Sequence, residues 1–405
     1  MISWLKKIGL LQKESGTLKN QFNLHELSGG MGDLGTLLPL LFALIIFNGF
    51  QAAILFFCFG IVYILTGWYY KVPVSVQPLK AMSVIAIAYG FSPEFLSGTA
   101  FFYGILFILL SITGIIRWLQ AFFSPALVRG VQLGIGLILA QKAIELVLAK
   151  GLILSDSSPL MIVNIILLLA FMGLIWKFQF NQQFPISIIL IFISIPVIGL
   201  LFSSQTMVPN SSLNLSLLVP APEILKDAII LLMIPQLPLT LGNAVYAASD
   251  SCHQLWGKQA ERVNPTRLSF SIGLSNVFIG MLGGFPICHG AGGMGAHAQF
   301  GAKTGGATIL MGVMLVLVGL IPQLRELVFL IPVPLLGAML LFDSFRMILM
   351  VKSFNQWSQI AVAVTVGSIS FLTRNLTIAI VVGWLIEKAI QYIVSKYKTV
   401  EGVSS

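Results

Sequence analysis

The chain has 405 residues, of which 57% are hydrophobic and 9% are charged, and its mean hydropathy is +0.96. A soluble globular chain carries about 25% charged residues, so this composition excludes an ordinary soluble domain and predicts an integral membrane protein. The formal net charge of +9 would also suit a nucleic-acid-binding protein, but the distribution of the basic residues argues against that function.

Apolar runs of about 20 residues, the length that crosses a bilayer, recur along the chain. We predict a cytoplasmic N-terminal tail over residues 1–22, and no cleavable signal peptide, because no small-residue cleavage pattern closely follows the first apolar run. A first group of seven spans occupies residues 23–203. In chain order they are predicted at about 26–47, 52–70, 77–91, 99–118, 125–148, 159–176 and 184–203.

A polar loop over residues 204–222 links this group to a second group of seven spans over residues 223–395. Residues 396–405 are predicted to form a cytoplasmic tail. The third span of each group is short, so we expect spans 3 and 10 to be half-helices. The second group is predicted at about 223–247, 268–284, 285–297, 306–320, 327–341, 357–373 and 376–394.

The basic residues are divided unequally between the two sides of the membrane. With the N-terminus inside, about 17 of the 23 Lys and Arg residues lie in the tails and loops of that side, roughly five lie on the other side, and Lys80 is embedded. This asymmetry follows the positive-inside rule. We therefore predict cytoplasmic termini in the cell (inner or plasma) membrane, and no nucleic-acid partner.

Three short motifs recur in the two halves at nearly constant offsets of 210, 208 and 209 residues. Residues 26–33 align with 236–243, Gln77-Pro78 with Phe285-Pro286, and Ser124-Pro125 with Val333-Pro334. Seven spans per repeat is an odd number, so the second repeat must lie inverted in the membrane. Inverted repeats with interrupted helices at matching positions are typical of secondary transporters, whose site lies near the midplane.

Residues 285–297, FPICHGAGGMGAH, are too rich in glycine for an ordinary spanning helix. Proline suits the first turn of a helix and breaks one from within, so we predict a short helix that starts near Pro286 at membrane depth. Its free N–H groups and positive dipole end would attract an anion. The nearby His289, and the lack of a neighbouring carboxylate, favour the same ligand.

Ionisable residues inside a membrane are costly and are therefore candidates for function. Lys80 could neutralise part of a dianion, and Asp33 is its expected partner or a proton or cation site. His289 is expected to contact the anion. Glu26 and Asp343 fall near predicted span ends and are expected to be solvated or interfacial. A structural role is the alternative for each of these residues.

We predict no catalytic residues, cofactor or metal. The three cysteines form no CxxC pair, and the four histidines are scattered without an HExxH pattern. Two GxGxxG matches, at 30–35 and 290–295, lie in apolar spans rather than a soluble βαβ unit, which excludes a dinucleotide site. The predicted substrate-binding residues are Asp33, Thr36, Gln77, Pro78, Lys80, Asn243, Pro286, Cys288, His289, Gly290, Ala291 and Gly292.

Three motifs resemble those of the molybdate transporter family, a distant branch of the sulfate permease superfamily: ELSGGMGDLGT at 26–36, QPLK at 77–80 and CHGAGGMGAHAQFGAK at 288–303. The resemblance covers nearly the whole chain. It implies an all-α polytopic fold of about 14 transmembrane spans, arranged as a 7+7 inverted repeat. Spans 1–4 and 8–11 would form a core domain, and spans 5–7 and 12–14 a gate domain. The oxyanion would lie between the N-termini of spans 3 and 10.

The expected function is therefore secondary transport of molybdate by alternating access. Sulfate or a general oxyanion is the main alternative, since tetrahedral dianions differ mainly in bond length and hydration. An anion channel is less favoured, as is a nucleobase carrier, which would need an embedded carboxylate that spans 8 and 10 lack at mid-depth. About ten residues follow the last span, which suits the molybdate branch. Expected partners are the oxyanion, the lipid bilayer, a coupling proton or cation and, because superfamily members are often dimers, a second copy of the chain.

Overall fold

The computed structural model describes residues 19–120, 123–154, 160–180, 186–201 and 219–401, together with residues 213, 215 and 217. The N-terminal tail up to residue 18, most of the loop predicted at 204–222 and the last four residues lie outside the described part. Within it, the chain is almost entirely helical.

The first half of the chain contains one short strand among its helices. A 3-10 turn, Met31–Asp33, joins the first two helices, and a π-helical turn, Trp176–Phe180, extends the eighth. The elements are α1 (Leu24–Gly30), α2 (Leu34–Asn48), α3 (Ala52–Tyr70), β1 (Gln77–Pro78), α4 (Lys80–Tyr89), α5 (Pro93–Thr113), α6 (Ile116–Gln120), α7 (Pro125–Ala149), α8 (Met161–Ile175) and α9 (Ile186–Leu201).

The second half has the same general plan. Its first three helices are joined by π-helical segments into one helical stretch, Pro222–Ala260. The elements are α10 (Leu225–Ala228), α11 (Ile234–Leu239), α12 (Ala248–Trp256), α13 (Pro265–Met281), β2 (Ile287–Cys288), α14 (Ala291–Gln299), α15 (Gly306–Leu320), α16 (Pro322–Phe329), α17 (Val333–Leu349), α18 (Trp357–Thr373) and α19 (Leu376–Glu401).

Seven helices of the described part are long and apolar enough to cross a membrane, and an eighth is added if α15 and α16, which are bent by 102° at their junction, count as one span. Other apolar helices, including α4 and α18, are shorter. Together with the apolar composition, these helices identify an integral membrane protein.

Several predicted boundaries are wrong by half a turn to more than two turns. Helix α5 begins at Pro93 rather than near residue 99, because the Ser92 hydroxyl accepts from the N–H of Phe95 and caps the first turn. The span predicted at 223–247 continues to Trp256 and beyond. The span predicted at 327–341 divides into the end of α16 and a separate helix, α17.

Two pairs of helices pack closely through glycine. A Cβ atom on Gly60 of α3 would lie 2.7 Å from the carbonyl oxygen of Gly312 on α15, and one on Gly104 of α5 would lie 2.6 Å from that of Gly273 on α13. Such backbone contact requires small residues at the interface. These four helices therefore pack tightly as two pairs.

Strands β1 and β2 pair antiparallel, with Gln77 opposite Cys288 and Pro78 opposite Ile287. All four residues are buried, as extended backbone at membrane depth must be. Helix α4 follows β1 and helix α14 follows β2. Because the strands are paired, the two short helices start close to each other.

The start of α14 differs from the prediction. The Asn276 side chain bonds both backbone groups of Ile287, accepting from its N–H at 2.7 Å and donating to its carbonyl at 2.8 Å. This keeps the chain extended after Pro286, and the helix begins only at Ala291, with Gly290 as its N-cap. Similarly, α4 begins at Lys80, whereas the third span was predicted to begin at about residue 77.

Candidate functional site

A cavity of about 80 Å³ lies where the two short helices begin. One water-sized probe sphere needs about 10–15 Å³, so the cavity has room for a small solute. Helices from both halves of the chain contribute to its wall. The lining residues are Thr36, Gln77, Lys80, Gln132, Gln236, Leu239, Asn243, Cys288, Gly292, Asp343, Arg346, Met347 and Met350.

Half of the predicted site residues line this cavity: Thr36, Gln77, Lys80, Asn243, Cys288 and Gly292. Ala291 lines a wider cavity of about 900 Å³ that shares Gln132, Asn243, Gly292 and Met350 with the first. The five remaining predicted residues line neither cavity: Asp33, Pro78, Pro286, His289 and Gly290.

Both short helices present their N-terminal ends to the cavity, through Lys80 of α4 and Gly292 of α14. Neither N-cap residue supplies a capping side chain. The first N–H groups of a helix have no acceptor within that helix. In α4 one of them, that of Met82, donates to Oε1 of Gln236 at 3.1 Å. The two positive dipole ends therefore converge on one small space.

Asp33 is buried behind the cavity and positions Gln77. Its Oδ1 accepts from Nε2 of Gln77 at 2.5 Å, and its Oδ2 accepts from the hydroxyl of Tyr63 at 2.9 Å. The predicted pairing of Asp33 with Lys80 is therefore wrong, because the two side chains form no ion pair within 4 Å and the carboxyl group is held by neutral donors instead.

The glycines of α14 allow this arrangement to pack. A Cβ atom on Gly293 would lie 2.7 Å from both Oδ2 of Asp33 and Nε2 of Gln77. The hydroxyl of Ser75, just before β1, donates to the carbonyl of Gly290 at 2.7 Å. The glycine-rich motif thus brings the start of α14 into direct contact with β1 and with Asp33, in the turn that follows α1.

His289 does not contact the cavity, contrary to the prediction. Its ring is fully buried, with Nδ1 2.9 Å from the carbonyl oxygen of Ser75 and Nε2 2.8 Å from the hydroxyl of Ser271. A carbonyl can only accept, so Nδ1 carries the hydrogen and, in the neutral ring, Nε2 accepts from Ser271. Both nitrogens are therefore used within the protein, Nδ1 by the segment that leads into β1 and Nε2 by α13.

Asp343 is buried and lines the cavity rather than lying at an interface. Its Oδ1 is 3.4 Å from the donating hydroxyl of Thr36. The prediction was wrong because α17 continues to Leu349, eight residues beyond the predicted end of the span, so Asp343 lies inside the helix rather than at its end. The cavity wall thus contains one carboxyl group and two cationic side chains, Lys80 and Arg346.

Glu26 is also buried, where the sequence predicted a solvated side chain. Its two carboxyl oxygens accept from the N–H groups of Lys303 and Thr304 at 3.0–3.3 Å. These donors lie just before α15, so Glu26 ties α1 to the start of that helix. A structural role accounts for this residue.

Four polar lining residues were not among the predicted site residues: Gln132, Gln236, Asp343 and Arg346. Gln132 and Gln236 are uncharged polar residues in apolar spans, and Gln236 occupies the position of Glu26 in the aligned repeat. That alignment is the signal that could have identified Gln236. Among the described residues, no group of three or more His, Cys, Asp or Glu side chains is placed to hold a metal ion.

The wider cavity leads from the site toward the N-terminal end of α7. Its outer wall includes Ser124, Pro125 and Arg129. Arg129 donates to Oε1 of Gln132 at 2.9 Å, which links the outer wall to the inner cavity. In the topology predicted from the sequence, this end of α7 faces the side that carries most of the Lys and Arg residues.

Solved structures of low sequence identity share the fold. The transmembrane domain of a cyanobacterium bicarbonate transporter, BicA, matches with a TM-score of 0.65 and 16% identity over 92% of this chain and 100% of that one. The overall structure of SLC26A9 matches with a TM-score of 0.67 and 15% identity, over 98% of this chain and 68% of that one. The helical arrangement is therefore that of a known transporter fold.

Curated relatives are similar along most of their length. Molybdate transporter 1 of Arabidopsis thaliana is 27% identical over 93% of this chain and 90% of its own length. Molybdate transporter 2 of the same plant is 26% identical over 84% of this chain and 81% of its own length. Molybdate transporter 1 of Chlamydomonas reinhardtii is 25% identical over 82% of this chain and 84% of its own length.

The family described as "Molybdate transporter of MFS superfamily" matches residues 25–139 and 228–347, which together make up more than half of the chain. These two segments contain every residue that lines the small cavity except Met350. The chain therefore belongs to the molybdate transporter family, whose members are transporters rather than enzymes.

Proposed function

We propose that this protein is a secondary active transporter of molybdate, which binds the oxyanion in the cavity between the N-termini of α4 and α14. The observation that carries the proposal is the convergence of two helix N-termini and the Lys80 side chain on one small, polar space. Family membership and the names of the curated relatives favour molybdate as the anion.

The binding energy comes from several groups. A helix N-terminus contributes about 0.3–1 kcal/mol toward an anion when exposed and up to ~2 kcal/mol when partly buried. Two such ends cannot hold a dianion alone, so Lys80 and Arg346 supply positive charge. Amide groups of Gln132 and Asn243, which also line the cavity, supply neutral hydrogen-bond donors.

The transport cycle follows from the arrangement of the helices. We assign the chain to two inverted repeats of seven segments, at 23–203 and 223–395. A core domain would comprise α1–α5 and α10–α15, and a gate domain α7–α9 and α17–α19. The glycine contact between α3 and α15 has its counterpart between α5 and α13, and β1 pairs with β2. Both features fit a pseudo-twofold axis.

Alternating access is supported by the position of the cavity at the boundary of these two domains. Thr36 and Lys80 belong to the core, whereas Gln132 and Asp343 belong to the gate. Movement of one domain against the other would therefore open and close the site. The wider cavity reaches the Lys/Arg-rich side, which the positive-inside rule places in the cytoplasm, so the conformation described here is inward-facing.

Binding of molybdate, tungstate and sulfate to the purified full-length protein, each followed by thermal shift, tests the proposal. A ligand at 100 times its Kd stabilises the folded state by about 2.7 kcal/mol. We expect molybdate and tungstate to stabilise the protein at micromolar concentrations. Equal stabilisation by sulfate would instead identify a general oxyanion transporter, which the same cavity chemistry would permit. No shift with any of the three would refute the anion site.

The Lys80→Gln variant separates the charge from the fold. Removing one partner of a desolvated charge pair costs about 2–5 kcal/mol, so molybdate binding should weaken more than about thirtyfold and uptake should be lost while the protein still reaches the membrane. Lys226→Gln is the control, because Lys226 is an exposed residue of α10 outside both cavities. Normal uptake in Lys80→Gln would show that this lysine does not compensate the charge of the anion.

A further inference from the structure

A groove of about 630 Å³ runs between α3 and α13 on the outer surface, away from the proposed anion site. Most of its wall is apolar and includes Leu65, Trp68, Leu274 and Phe278, all of which are exposed at the surface. The two helices touch at one end of the groove, where the hydroxyl of Tyr70 donates to the carbonyl of Arg267 at 3.0 Å.

The groove has the length of one membrane leaflet. Its α13 wall runs from Arg267 to Phe278, which is about 16 Å at 1.5 Å per residue. The hydrocarbon core of a bilayer is about 30 Å thick, so the groove extends from one interface to about the midplane. That is the depth reached by one acyl chain of a lipid.

The closed end of the groove is basic and aromatic. The Nζ of Lys71 lies 5.9 Å from the ring centroid of Trp68, and the guanidinium carbon of Arg262 lies 5.9 Å from that of Tyr69. Trp and Tyr are the residues that mark the level of the lipid headgroups. This end of the groove therefore lies at the interface, on the Lys/Arg-rich side.

Arg267 adds an independent indication of a ligand. It lines the groove but is 95% buried, and its Nε has no hydrogen-bond partner among the described residues. Residues 257–267 contain three basic side chains and one acid, Glu261. With Lys71, this end of the groove has a positive balance that complements a phosphate group.

We propose that the groove binds an anionic phospholipid, with one acyl chain between α3 and α13 and the phosphate at Lys71, Arg262 and Arg267. The ligand would come from the leaflet on the Lys/Arg-rich side. One wall residue, Ser271, bonds to His289, which in turn bonds to the carbonyl of Ser75 before β1. A bound lipid would thus contact Ser271, and through it the buried hydrogen bonds of His289 that support the anion site.

Fluorescence of Trp68 measures lipid binding directly, because this residue lines the groove and is 63% exposed. The full-length protein is reconstituted in phosphatidylcholine vesicles that contain increasing fractions of brominated phosphatidylglycerol or brominated phosphatidylcholine. The fluorescence of Trp68 alone is obtained by subtracting the emission of the Trp68→Phe variant from that of the unchanged protein. Trp357, which is 84% exposed at the start of α18 and outside the groove, gives a matched control through Trp357→Phe.

We expect brominated phosphatidylglycerol to half-quench Trp68 at a mole fraction at least about fivefold lower than brominated phosphatidylcholine does, since one basic residue near the membrane surface is worth about 1 kcal/mol toward anionic lipid. Trp357 should show no such difference. Arg262→Gln, and separately Lys71→Gln, should each reduce the preference several-fold. Equal quenching of Trp68 by the two lipids, or a preference that survives both substitutions, would overturn the proposal.

Discussion

Gly293 lies where α14 meets Asp33 and Gln77, and Gly293→Ala tests whether that contact controls anion binding. The added methyl group would lie 2.6 Å from Cβ of Ser75 and 2.7 Å from both Oδ2 of Asp33 and Nε2 of Gln77. Ordinary van der Waals contact requires well over 3 Å. Either the start of α14 or the Asp33–Gln77 pair must therefore move.

The size of the effect follows from these contacts. Inserting a methyl group into a packed site costs about 1–3 kcal/mol, which is partly offset by the gain of about 0.8–1 kcal/mol from replacing glycine with alanine in a helix. Stability should therefore change little or fall modestly. A shift of α14 or Gln77 would break a hydrogen bond between the cavity wall and the bound anion. A hydrogen bond to a charged group is worth about 1.5–3 kcal/mol, so molybdate should bind about 10- to 100-fold more weakly.

Gly295→Ala is the matched control on the same helix, because a Cβ atom there meets nothing within 4 Å. It should gain helix stability and leave molybdate binding unchanged. Both variants are compared by thermal unfolding without ligand and by molybdate titration of the purified protein. Wild-type affinity in Gly293→Ala would show that the contact of α14 with Asp33 and Gln77 does not position the binding groups. An equal loss of molybdate affinity in both variants would show that the effect does not depend on the contact of Gly293 with Asp33 and Gln77.

Two further substitutions test buried carboxyl groups. Asp343→Asn removes a negative charge from the cavity wall, so we expect molybdate to bind several-fold more tightly at low ionic strength, a gain of about 1 kcal/mol; an unchanged or higher Kd would mean that Asp343 does not repel the anion. Glu26→Gln removes one of two oxygens that accept from Lys303 and Thr304, so the midpoint of thermal unfolding should fall, consistent with a loss of about 1–3 kcal/mol. Asp250→Asn, at an exposed position inside the helical stretch Pro222–Ala260, should leave that midpoint unchanged.

The two short helices were predictable because local chemistry marks them. Proline after an apolar run and a glycine-rich segment cannot continue a spanning helix, and this is visible in the sequence at Pro78 and Pro286. The first residue of α14 was not predictable from the same signal. It depends on Asn276, whose side chain keeps Ile287 extended, and nothing in the local sequence announces that contact.

The individual site residues show a similar limit. Lys80 was identified because a cation inside an apolar span is costly, and it does line the cavity. The same argument selected Asp33 and His289, yet these two support the wall through partners that lie far along the chain. Residue type indicates that a polar group must be satisfied, whereas only the packing of the helices decides whether protein or solute satisfies it.

The pairing of β1 with β2 has a consequence for the synthesis of the protein. Ser75 and His289, which bond to each other beside the strands, are 214 residues apart. At about 5–20 residues per second, a ribosome needs roughly 10–40 s to make the intervening chain. Until then the backbone groups of β1 lack their partner strand, and each unsatisfied group costs several kcal/mol in lipid. The first short helix and its lysine must therefore wait outside the hydrocarbon core, or beside an insertion factor, until the second half of the chain arrives.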